Sequence, residues 1–186
     1  MPAMQTPFPP PLPIAPPAPQ DLHPALWRAD QLARPRASLL ASGYAELDAE
    51  LPGGGWPAGA LTELLLPHPG VGELRLLAPV LHERSHIWFD PPAAPCAWAL
   101  AALGIAWPRL VVVRSERAAD ALWALEQALK SGHLGALLAW LPARLPPDAL
   151  RRLALAAQGH DGPVFLLRDA RSRSRASPAP LRLLLA

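Results

Sequence analysis

The stretch that decides the fold runs from Gly43 to Gly72, GYAELDAELPGGGWPAGALTELLLPHPGVG. Tyr44, Leu47 and Leu51 fall at i, i+3 and i+7, which predicts a helix of two turns stopped by Pro52 and the glycines at 53 to 55. Leu61 to Leu66 is an apolar run of strand length, and Pro67 to Gly72 is a tight turn. Beyond the turn, Leu74, Leu77 and Leu81 share one face of a helix from Glu73 to Glu83, with Pro79 predicting a kink. Strand, glycine turn and helix in succession is the arrangement in which a nucleotide-binding domain holds phosphate.

Working outward, the same alternation continues. Ile87 to Phe89 reads as a strand, Ala97 to Leu103 as a short helix, and the β-branched Leu110 to Val113 as a strand. Ala118, Leu122, Leu125 and Leu129 make Ser115 to Ser131 an amphipathic helix with Gly132 as its left-handed cap. The continuously apolar Leu134 to Leu141 suits a parallel strand covered on both faces. Pro146 and Pro147 open a helix ending near Gly159, and Val164 to Leu167 and Leu181 to Leu185 complete the strands. Such alternation implies an α/β fold, an open, mostly parallel sheet with helices on both faces. Ligands of such sheets sit beyond the carboxyl ends of the strands, where Pro67 to Gly72 falls.

Ahead of this core, residues 1 to 23 carry prolines at 2, 7, 9, 10, 11, 13, 16, 17 and 19, which remove backbone donors and impose extended geometry. This segment reads as a disordered tail. Residues 24 to 41 read as a helix and linker: PALWRADQLA, from Pro24 to Ala33, has proline at a helix start. Leu26, Trp27, Arg28 and Gln31 of that helix are the candidate surface for a partner or a second copy. The core domain is expected over 42 to 186.

Composition bounds the function. A formal charge of +2 does not demand a polyanionic partner, although nearly all basic residues are Arg, suited to bidentate contacts. The single cysteine, Cys96, excludes an intrachain disulfide and any multi-cysteine metal site, and points to a reducing, cytoplasmic home. Prolines interrupt every candidate apolar run before about 18 residues, so no membrane span is expected.

Three motifs carry chemistry. A phosphate loop G-x-x-x-x-G-K-[ST] needs a Lys for the terminal phosphates and a hydroxyl for Mg²⁺. With Gly72 as the second glycine, Pro67 takes the first position, Gly70 lies within the loop, and Glu73 and Leu74 replace the Lys and the hydroxyl. Glu73 would repel a triphosphate, so the loop is degenerate and no nucleotide cofactor is expected. His82, Glu83 and His86 spell H-E-x-x-H, the zinc-hydrolase pattern, which requires both histidines on one helical face. His86 abuts the next strand, which places the helix end between them, and no metal site is assigned. Arg168, Arg171, Arg173 and Arg175 lie in a Ser-rich segment between strands and form the candidate contact to a nucleic-acid backbone, or else a solvated linker. Most of the seven tryptophans are expected to serve as core.

Several blocks together resemble a known family. Ser42 to Pro67 is similar to the lead-in to the RecA core. WRADQL at 27 to 32, LDAELPGGGWPAGALTELL at 47 to 65, GELRLL at 72 to 77, AADALWALEQALKSG at 118 to 132 and ASPAPLRL at 176 to 183 resemble ImuA, the RecA-like family associated with translesion DNA synthesis and grouped with SulA. The resemblance implies a RecA-like core. The loop Lys and Thr of RecA fall on Glu73 and Leu74, its catalytic base on Pro92, two residues after the matching Asp90, and its metal-orienting Asp on Trp140. What it implies is therefore a non-catalytic pseudo-ATPase acting in the SOS response. A polymerase-like ImuB and RecA are the implied partners, with self-association and weak single-stranded DNA contact as further expectations. A SulA-like inhibitor of cell division is the alternative, and a zinc hydrolase the more distant one.

Overall fold

The computed structural model describes residues 38–132, 135–146 and 148–186. The predicted tail and the Pro24 to Ala33 helix, with Leu26, Trp27, Arg28 and Gln31, lie outside the described residues.

From Leu39 onward the elements are β1 (Leu39–Leu40), α1 (Ala45–Glu50), β2 (Trp56–Pro57), β3 (Leu61–Leu66), α2 (Glu73–Leu81), β4 (His86–Phe89) and α3 (Ala97–Ala102). They continue with β5 (Leu110–Val113), α4 (Ala118–Ser131), β6 (Ala136–Trp140), α5 (Ala149–Ala157), β7 (Val164–Asp169) and β8 (Leu181–Leu184). Short 3-10 turns at Trp107–Arg109 and Ala170–Ser174 precede β5 and follow β7.

Six strands form one sheet in the order β5-β4-β6-β7-β3-β8, and every pairing in it is parallel. Side chains alternate across it, so the central strands feed two cores. Leu64 and Leu66 of β3, Trp88 of β4 and Leu138 of β6 pack with Leu77 and Leu81 of α2 and Leu100 of α3. On the opposite face, Leu137 of β6 and Val164 and Leu166 of β7 pack with Leu122, Leu125 and Leu129 of α4 and Leu150 and Leu153 of α5. Each such side chain removed from water contributes about 1.5–3 kcal/mol, which is why the apolar strands occupy the centre. The α/β sheet with helices on both faces is thus as the alternation predicts.

Three differences from the sequence reading stand out. Leu39–Leu40, within the stretch read as linker, pairs antiparallel with Trp56–Pro57; two residues are too short to carry a strand period. Helix α4 starts at Ala118 rather than Ser115: its N-cap, Arg117, is extended (φ −125°, ψ 139°), and the chain before it is held by the Ser115 N–H donating to Asp90 Oδ1 at 2.6 Å. Trp56 and Trp88 are core, but Trp98, Trp107 and Trp123 are exposed, so the expectation of buried tryptophans fails for these three.

Candidate functional site

Strand β3 is buried along its whole length, so the chain leaves the sheet at Leu66 and turns at the surface before α2. Gly70 (φ 89°) and Gly72 (φ 112°) adopt the left-handed backbone that side chains resist. Space is open around both, so conformation and not crowding calls for glycine there. The turn gathers backbone N–H groups at the amino end of α2, which is the geometry of an anion site.

The anion is supplied by the chain itself. Glu73 Oε1 accepts from the Gly70 N–H at 2.8 Å, and Oε2 accepts from Gly70 at 3.1 Å and from Gly72 at 3.2 Å. Glu73 is only 4% exposed, and its charge also sits favourably in the first turn of α2. The carboxylate expected to repel phosphate therefore also uses up the amides that phosphate would need. Leu74, at the hydroxyl position, packs against the core, while Pro67 is exposed.

Beside this loop, a cleft of about 300 Å³ opens at the carboxyl ends of β3, β6 and β7. Pro67, Pro92 and Trp140 all line it, so the degenerate loop and the two positions matched to the base and the metal-orienting carboxylate are brought together in space. Trp140 lies with its ring centroid 5.5 Å from that of Trp88. Asp169 also borders the cleft, but Arg171 engages both its oxygens, at 2.8 Å to Oδ2 and 3.0 Å to Oδ1. That side-chain contact, with the Arg171 N–H adding to it, holds the Asp169 carboxyl below its ordinary range. Asp90, at the end of β4, takes a positive φ of 48° and is occupied by Ser115. Pro92 and Trp140 thus form apolar walls at the positions matched to the base and the metal-orienting carboxylate, and a carboxylate, Glu73, stands at that of the cation.

The H-E-x-x-H pattern is divided between two elements. Helix α2 ends at Leu81, His82 accompanies its last turn with Nδ1 against the Gly104 carbonyl, and His86 is already the first residue of β4. His86 Nδ1 lies 2.9 Å from the Arg84 carbonyl, and burial pushes its pKa down. The two imidazoles therefore lack the shared helical face a zinc hydrolase requires. Among the described residues no group of three or more His, Cys, Asp or Glu is placed to hold a metal.

The arginine segment separates into different environments. Arg168 requires correction as a nucleic-acid contact: it is the fifth residue of β7, 3% exposed, and Nη1 donates to Glu63 Oε1 at 2.8 Å. The carboxylate of Glu63 also accepts from Arg182 Nε at 2.7 Å and from the Ser177 hydroxyl at 2.9 Å. Arg171 is exposed but paired with Asp169, whereas Arg173 and Arg175 are exposed with no carboxylate partner among the described residues. The segment read as a loop is in part a 3-10 helix, Ala170–Ser174. Sequence reasoning missed Glu63 as the hub of this network. The signal was available, since a carboxylate inside LTELLL must find cationic partners if the strand is buried.

A comparison with protein-family models finds no match. Among curated proteins, the chain is 30% identical over 110 residues to the cell division inhibitor SulA of Edwardsiella piscicida. That alignment covers 56% of this chain and 64% of the relative, less than two thirds of the relative's length. Among solved structures, SulA from Pseudomonas aeruginosa is matched at 28% sequence identity with a TM-score of 0.48, covering 60% of this chain and 98% of that one. The chain is thus similar in sequence to SulA over more than half its length.

Proposed function

We propose that this chain is a non-catalytic protein of the SOS response that uses a RecA-like core as a scaffold. On this reading it serves mutagenic translesion synthesis as an accessory, through contacts with a polymerase-like ImuB and RecA. The observation that carries the non-catalytic reading is the Glu73 carboxylate seated on the Gly70 and Gly72 amides. Any nucleotide would have to displace a covalently tethered, buried anion and then find no lysine behind it. Calorimetric titration with ATP and Mg²⁺ is expected to give no binding heat; Mg²⁺-dependent, saturable binding would overturn the pseudo-ATPase reading. Co-purification with the polymerase-like partner tests the accessory role.

A second reading, inhibition of cell division, is favoured by the sequence similarity to SulA. Overexpression distinguishes the two, because filamentous cells without loss of damage-induced mutagenesis in a deletion strain fit division inhibition alone. Direct DNA contact, on either reading, would rest on Arg171, Arg173 and Arg175. Neutralising these three should weaken single-strand binding and flatten its salt dependence, each lost phosphate contact lowering the slope by about 0.7.

A further inference from the structure

The two edges of the sheet differ in kind. At β8, Arg182 turns onto Glu63 and also donates to the carbonyls of Ser172, Arg173 and Arg175, so the preceding segment is bound across that end. At β5, strand β4 pairs on one side, and among the described residues nothing pairs on the other. The strand reads Leu-Val-Val-Val, with no charge, proline or glycine inside it. Val111 is 55% and Val112 37% exposed, on opposite faces of the sheet, and Trp107, 51% exposed, stands just ahead of them. Soluble proteins ordinarily guard such an edge with a charge, a proline or a cover, because open N–H and C=O groups beside apolar side chains invite another strand.

The backbone orientation is fixed. The Val113 carbonyl accepts from the Asp90 N–H at 2.9 Å, on the β4 side, so the alternation along β5 turns the N–H and C=O of Val112 outward. Arg109 and Arg114 bracket the strand, and both are exposed. The Arg109 guanidinium donates to the Glu83 carbonyl and that of Arg114 to the Pro91 carbonyl, and neither forms an ion pair among the described residues. These brackets also select the occupant. Residues turned outward lie opposite one another in an antiparallel pair, so pairing of β5 with a second copy about Val112 would set Arg114 against Leu110 and Arg109 against Ser115, and neither guanidinium would meet a carboxylate.

We infer that the β5 edge is a strand-addition site for an extended apolar segment of a partner protein carrying acidic residues at its ends. Backbone pairing at Val112 would supply the ladder, Val111 and Val112 the apolar contacts, and Arg109 and Arg114 the register. This inference stands apart from the loop reading, and nucleotide titration does not bear on it. The test uses the full chain and fluorescence anisotropy with labelled synthetic peptides, a valine run between glutamates and the same run between lysines. The glutamate-flanked peptide is expected to bind about tenfold more tightly, the scale of two exposed ion pairs. The double variant Arg109→Glu, Arg114→Glu should reverse that preference, and Val112→Pro should abolish binding by removing an outward N–H while sparing the β4 side. Failure of both peptides to bind, equal binding of the two, or an unchanged preference in the charge-reversed variant would each overturn the proposal. So would a dimer of the unmodified chain that Val112→Pro dissociates.

Discussion

At the scale of single residues, two buried glutamates have opposite relations to charge. Glu73 is held by backbone amides, whereas Glu63 is held by two guanidiniums, one of them as deeply buried as itself. Removing one member of a buried pair strands the other without water, at a cost of about 3–5 kcal/mol. Glu63→Ala should lose that much in urea denaturation, because Arg168 cannot reach solvent from within β7. Arg182→Ala should lose about 1 kcal/mol, since its side chain is 25% exposed and leaves the Glu63–Arg168 pair in place. Similar losses for the two variants would mean that Arg168 is solvated on loss of its partner. Glu63 was visible in the sequence as an anomaly, but its partners lie 105 and 119 residues away, separations that no periodicity reports.

At the scale of elements, α2 shows how a locally unfavourable residue is accommodated. Pro79 sits inside the helix and has no N–H, so the carbonyl of Arg75, four residues back, loses its helical donor. The Tyr44 hydroxyl donates to that carbonyl at 2.9 Å. Gly43, with φ 88°, lies so close to the Pro79 ring that a Cβ there would come within 2.3 Å of it. The glycine and tyrosine that open the deciding stretch are therefore shaped to a proline more than thirty residues on. Tyr44→Phe should cost about 1 kcal/mol in the native background and less when combined with Pro79→Ala, which restores the helical donor. A double-mutant cycle measures this directly, and additive losses would show that the hydroxyl does not serve the proline's carbonyl. The sequence marks Pro79 as discordant; that a side chain from before the strand answers it is a tertiary fact.

At the scale of the whole molecule, two buried histidines tie stability to pH. Burial is the main cause that lowers the pKa of His86 and His160; the Arg84 carbonyl and the Asp161 charge partly oppose it. In the unfolded chain both titrate near 6.5. The unfolded state then binds more protons as pH falls below that value, so the stability these neutral rings contribute is complete above about 6.5 and is lost progressively below it. Asp120, Glu126 and Asp169, lowered by their cationic partners, titrate in a lower window. Urea midpoints should therefore fall between about pH 7 and 5.5, and a His86→Asn, His160→Asn double variant should flatten that region. An unchanged slope in the double variant would assign the fall to other groups.

The sequence by itself determined the order of the six parallel strands and of the helices between them, and the direction of that sheet. It also determined the degeneracy of the loop, because hydrophobic period, glycine positions and the missing lysine are local or near-local facts. It placed Leu61 to Leu66 and Leu110 to Val113 at their observed bounds. Only the tertiary structure decided that Glu73 fills the anion site, that Pro67, Pro92 and Trp140 share one cleft, and that Arg168 is withdrawn from solvent. It also decided which apolar strand lies uncovered at an edge. Each of these depends on which groups the crossovers bring together, and burial with its charge partners is a property of the packed chain.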